Sequence, residues 1–110
     1  MATRDLWGGF TNVANLGTAW TDVTPVAPTG ELYLLQVRAV NRTASSSANL
    51  DASLRDSANA VHQYVLLAQP VGPGEVLEFN ILVPSARKLS VRASTASVLD
   101  IVVVDAVRQY

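Results

Sequence analysis

Cysteine is absent from the 110 residues, which removes disulfide frameworks and thiolate metal sites at a stroke. Histidine occurs once, as His62. Charge is scarce: Asp, Glu, Lys and Arg make up 15% of the chain, against about 25% in an average soluble domain. The eight basic residues are scattered and the net charge is −1, so there is no basic footprint for a nucleic acid. A surface this poor in charge is either partly covered by another subunit or one on which Ala, Ser and Thr stand in for charged residues. No apolar run approaches the roughly 20 residues that span a bilayer. The opening Met-Ala-Thr-Arg-Asp-Leu-Trp-Gly-Gly-Phe lacks the apolar core of a signal peptide. The expectation is a soluble protein, made and used without export by the general secretory route and without a membrane partner.

What the chain does have is a succession of short apolar or alternating segments between Ser-, Asn-, Pro- and Gly-rich turns. Residues 18–26 form a first candidate strand, ended by Pro25 and Pro28 and so expected at an edge. In residues 31–41, Tyr33, Leu35, Val37 and Ala39 share one face and Leu34, Gln36, Arg38 and Val40 the other; a strand apolar on both faces is central or covered. Residues 48–55 alternate cleanly, with Leu50 and Leu54 inward and Asp51, Ser53 and Arg55 outward. Across the Asp56-Ser57-Ala58-Asn59 turn they pair with residues 60–69 as a hairpin. Residues 75–83, 88–94 and 98–107 supply three more strands, the last with Leu99, Ile101, Val103 and Val107 on one face. Turns at about 8–12-residue spacing and short connections predict an all-β fold: an antiparallel two-sheet sandwich, jelly-roll or Ig-like, of about seven to eight strands. Its expected core is Tyr33, Leu35, Val37, Leu50, Leu54, Leu66, Leu77, Phe79, Leu89, Val91, Ile101 and Val103. Few lysines are available to block a sheet edge, so an edge used for subunit contact is a natural expectation.

Ahead of this sandwich domain, residues 18–110, lies an N-terminal segment, residues 1–17, in which Gly8-Gly9 opposes a helix. It reads as an extended arm whose Leu6, Trp7, Phe10, Val13 and Leu16 pack either on their own domain or on a neighbouring subunit.

Candidate chemistry is thin. Ser57, His62 and Asp56 could be drawn as a triad, but no nucleophile elbow accompanies them. Asp51, Asp56 and Asn59 lack the ligand density of a calcium loop. Asp100 and Asp105, five apart in a strand, should point to opposite faces and form no carboxylate pair. Asn41-Arg42-Thr43 fits a glycosylation sequon but reads better as a turn ending a strand. No cofactor is expected.

Several pieces in order carry a family resemblance: the opening strand with its Pro-Thr-Gly turn within residues 23–35, Val-Asn-Arg-Thr at 40–43, the alternating strand at 48–54, Pro-Gly-Glu-Val-Leu at 73–77 and Ala-Ser-Thr-Ala-Ser at 93–97. Over roughly residues 18–107 the chain resembles small β-sandwich virion proteins of tailed bacteriophages, found on capsids, necks, tails and fibres. Where that group usually has a glycine-rich turn before the penultimate strand, this chain has Pro84-Ser85-Ala86-Arg87-Lys88, and Arg87 and Lys88 become a possible contact with an acidic neighbour. The resemblance implies a non-enzymatic structural component of the virion, assembled in the host bacterial cytoplasm and binding capsid, neck or tail proteins. Capsid decoration is the favoured position, in a homo-oligomer, with a trimer as the first guess. The alternatives are a neck, tail or fibre accessory protein, or a carbohydrate- or receptor-binding module, for which Trp7, Trp20, Tyr64 and Tyr110 are the plausible aromatic suppliers.

Overall fold

The computed structural model describes residues 2–4, by their backbone pairing, and residues 10–109. Eight strands follow one another: β1 (Ala2–Arg4), β2 (Thr21–Asp22), β3 (Leu32–Asn41), β4 (Ala48–Arg55), β5 (Val61–Val71), β6 (Val76–Val83), β7 (Lys88–Ala93) and β8 (Leu99–Gln109). They form two four-stranded antiparallel sheets, ordered β1-β8-β3-β6 and β2-β7-β4-β5. Strand pairs β1 and β8, β2 and β7, β3 and β6, and β4 and β5 nest like one long hairpin rolled up, and this is the jelly-roll order. An Ig-like layout pairs its strands differently and is excluded. β3 and β8, apolar on both faces, are the two central strands of the first sheet.

The core lies between the sheets. Tyr33, Leu35, Val37 and Ala39 of β3, Leu50, Ala52 and Leu54 of β4, Leu89 and Val91 of β7 and Leu99 and Ile101 of β8 are all buried. Four residues expected in the core, Leu66, Leu77, Phe79 and Val103, are only partly buried and flank it. Three of these lie on β5 and β6, the last strands of their sheets on the same side of the sandwich, where the layers are incompletely closed.

Residues 10–17 run along β8 as part of the sandwich. Val13 and Ile101 exchange backbone hydrogen bonds of 2.9 and 2.7 Å, and the Leu16 N–H donates to Leu99 O at 2.8 Å. Phe10 meets Tyr33 edge to face at 4.9 Å. Leu16 is 0% exposed. Of the residues expected to pack either on their own domain or on a neighbouring subunit, Leu16 is therefore a core residue of its own domain, and Phe10 and Val13 pack against that core. Leu6 and Trp7 lie outside the described residues.

Candidate functional site

The outer face of the second sheet holds a connected group of paired polar side chains. Register places Thr21 opposite Val91 and Asp22 opposite Ser90, and Ser90 opposite Ser53, which in turn faces Tyr64. The Asp22 carboxylate accepts Lys88 Nζ at 2.8 Å and Ser90 Oγ at 2.8 Å, with Arg55 at 3.9 Å. Lys88 Nζ also donates to Asn59 Oδ1 at 2.7 Å, and Arg55 Nε to Asn59 O at 3.1 Å. Lys88, 8% exposed, is thus tied inside its own chain and is not free to reach an acidic neighbour. Arg87 stays at the turn, where it donates to Ala86 O at 3.2 Å. Ser53 Oγ, buried in the same face, is the polar atom of this group with no hydrogen-bond partner.

Beside this node, Asp51 holds two elements at once. One oxygen accepts the Ala68 N–H at 2.7 Å, where the backbone of β5 turns to a φ of 52°. The other accepts Arg92 Nε at 2.8 Å. Arg92 in turn sits 4.2 Å over the Trp20 ring, and Trp20 meets Tyr64 at 6.1 Å. Two of the four candidate glycan-stacking aromatics are therefore neighbours. Sugar stacking needs an open ring face, however, and the guanidinium over Trp20 occupies one. The cluster works as a clasp that ties the segment before β2 to β7 and β4, and through Asp51 to β5.

The other candidates fall apart geometrically. His62 Nε2 lies 2.7 Å from Asp56 Oδ2, while the other Asp56 oxygen accepts the N–H groups of Ala58 and Ala60. The His62 hydrogen bond, then the Ala60 and Ala58 amides, hold the Asp56 carboxyl down to about 2. A depressed carboxylate stabilises the fold above its unfolded value, about 4, and that contribution fades as the pH falls through about 2. Asp56→Asn is thus expected to remove part of the acid sensitivity of the β4–β5 turn, read by amide hydrogen exchange at pH 2 to 6. An unchanged profile would assign that sensitivity elsewhere.

Asp100 and Asp105 share one face after all, because a register shift makes Val104 an extra residue in β8. They pair with Val40 and Gln36, which puts them about 13 Å apart at 3.3 Å per residue, too far for an acid and base pair. Asn41, 1% exposed, is a clip: its Nδ2 donates to Ser46 O and Val71 O, and its Oδ1 accepts from Thr43. Among the described residues no three His, Asp or Glu side chains converge as a metal site. The outer face of the first sheet carries a shallow open groove of about 360 Å³, where Leu34, Leu82 and Val107 lie beside Gln36, Asn80 and Asp105.

The remaining feature is the set of sheet edges. A free edge offers unpaired backbone groups, and proteins blunt it with short strands, bulges or charge. β1 and β2 are three and two residues long. β5 is long, but its pairing with β4 shifts register three times, which bends the strand and breaks up its edge. β6 has none of these protections. It pairs with β3 from Tyr33↔Val83 to Val40↔Val76 without a shift. It carries one charge, Glu78, already bridged to Arg38 at 2.8 Å. Val76 and Leu82 on this strand are 54% and 47% exposed. The sequence raised an edge contact as an expectation without indicating which edge would stay open, because strand order is a property of the topology.

Compared with known proteins, the chain matches no family model, no curated protein and no solved structure.

Proposed function

We propose that the chain is a non-enzymatic structural component of a tailed-phage virion, assembled in the bacterial host, which binds neighbouring virion proteins and itself and decorates the capsid. The observation that carries the assembly role is the inventory of edges: three are blunted and β6 is left open, uncharged apart from an internally paired Glu78. The resemblance of residues 18–107 to small phage virion sandwiches supplies the context. Eight-stranded jelly rolls serve as capsid and lectin domains, and a fold alone does not choose between such uses. The glycan reading is the weaker one, since Arg92 already occupies one face of the Trp20 ring.

The test is made on particles. The chain should be found in multiple copies in purified virions of a phage that encodes it, and recombinant protein should rebind to heads lacking it. Rebinding to isolated tails instead would move the position to neck, tail or fibre. Absence from purified virions would overturn the reading.

A further inference from the structure

We infer that the open edge of β6 is completed by β6 of a second copy, antiparallel across a two-fold axis through Phe79. The inference deepens the assembly reading above by naming one contact and its register.

The backbone is prepared for it. The Asn41 N–H donates to Glu75 O at 2.9 Å, and antiparallel bonds alternate. Odd-numbered residues of β6 therefore bond to β3, and the N–H and C=O groups of Val76, Glu78, Asn80 and Leu82 project from the free edge. Facing residues across an antiparallel pair must share a face, so only every second register is available. Centred on Glu78, the pair sets two carboxylates against each other, which is destabilising. Centred on Asn80, it sets Glu78 against Leu82 of the other copy. Centred on Phe79, Leu77 faces Ile81, Phe79 faces Phe79, Val76 faces Leu82 and Glu78 faces Asn80. That register alone matches apolar with apolar and leaves no like charges opposed.

The side chains that would gain burial are the ones the single chain leaves short of it. Val76 and Leu82 are exposed, and Leu77, Phe79 and Ile81 are half-buried. A head-to-tail ring would need a second open edge, and among the described residues β1, β2 and β5 do not provide one. The expected unit is thus an isologous dimer in place of the trimer guessed from sequence.

The register makes a prediction that a general stickiness does not. Val76→Lys or Leu82→Lys alone should weaken the dimer about tenfold, since each change acts twice across the axis. Val76→Lys combined with Leu82→Glu in one chain should restore it. Positions 76 and 82 are about 20 Å apart along their own strand, so the introduced charges can meet only across the axis. Asn80→Pro serves as a second variant: it deletes an edge-projecting N–H while keeping the ladder to β3, and it should also dissociate the dimer. Concentration-dependent light scattering reads the mass against the 11.7 kDa of the chain, with circular dichroism melts confirming that each variant is folded.

A dimer, weakened by the single changes and restored by the charge pair, supports the pairing. A wild-type monomer at millimolar concentration overturns it without touching particle binding, and a dimer indifferent to all four variants overturns the edge while leaving self-assembly in place.

Discussion

Leu16→Ala is expected to cost about 3 kcal/mol of stability, and deletion of residues 1–17 to leave a chain without a cooperative unfolding transition. Leu16 is completely buried in the core between the sheets, so truncation opens a cavity there that the surrounding strands fill only in part. A domain of this size unfolds with about 5–15 kcal/mol in total, and a loss of about 3 kcal/mol lowers its melting temperature by roughly 12–20 °C. The deletion goes further. It strips the edge-to-face partner from Tyr33, the bonds that Val13 and Leu16 make to β8, and the acceptors of Ala93 N and Ser97 N at Gly17 O and Leu16 O. Tyr33 and Ile101, each 1% exposed, would then meet water. Thermal and urea unfolding followed by circular dichroism measure both effects. A truncated chain that melts sharply would return residues 10–17 to the role of a detachable arm.

The same segment marks where sequence reading stops. Strands β3, β4 and β7 were legible because their alternation is unbroken, and Tyr33, Leu50, Leu89 and their face-mates are buried as expected. β8 was legible only up to Val103. One bulged residue, Val104, flips the parity, so that Ala106 is 0% exposed and Val107 faces outward beside Leu34, the reverse of the expected pattern. In β5 three shifts scramble the alternation altogether. The bulge near Ala68 is held by Asp51 from the neighbouring strand, a long-range contact that no local window contains. Residues 10–17 look like an arm for a related reason. Their spacing carries no strand period, because they touch β8 through scattered bonds at Val13 and Leu16, and β7 at Gly17, rather than through a continuous ladder.

The candidate site divides in the same way. A weakly charged chain with unprotected edges was readable from composition. Which edge stays open was not, since it depends on the nested pairing that puts β6 outermost and on bulges that disable β5. Nor could alternation reveal that outward-facing positions on β4 and β7 are buried. Arg55, Ser53, Lys88 and Ser90 obey the outward phase yet are 9% exposed or less, because the segment carrying Trp20 and Asp22 lies along β7 and bonds across them.

That buried polar face sets the second large effect. Asp22→Ala should destabilise the protein by about 2 kcal/mol, and Lys88→Met by less than about 1 kcal/mol, although the two residues share one ion pair. Removing Asp22 leaves two cations, Lys88 and Arg55, each nine-tenths buried, with only Asn59 oxygens as acceptors. Breaking a fully buried pair this way costs about 3–5 kcal/mol. Asp22 is 47% exposed on its side chain, so water already screens part of the attraction and the expected loss is smaller. Removing Lys88 instead takes the buried charge away, fills its channel with an unbranched apolar chain, and leaves Asp22 with Ser90, Arg55 and water. Acid gives an independent readout. Burial pushes the Asp22 carboxyl up, but the Lys88 and Ser90 hydrogen bonds and the Lys88 and Arg55 charges together hold it below its ordinary value. A lowered folded value means stabilisation that is complete above about pH 4 and is lost as the pH falls through that lowered value. Urea unfolding at pH 7 and at successively lower pH should therefore show wild type and Asp22→Ala converging as acid protonates Asp22, while the order of the two variants at pH 7 separates a stranded buried cation from the loss of a mere surface contact. Equal losses for both variants at pH 7 would mean that water reaches Lys88 and that this face is open rather than sealed.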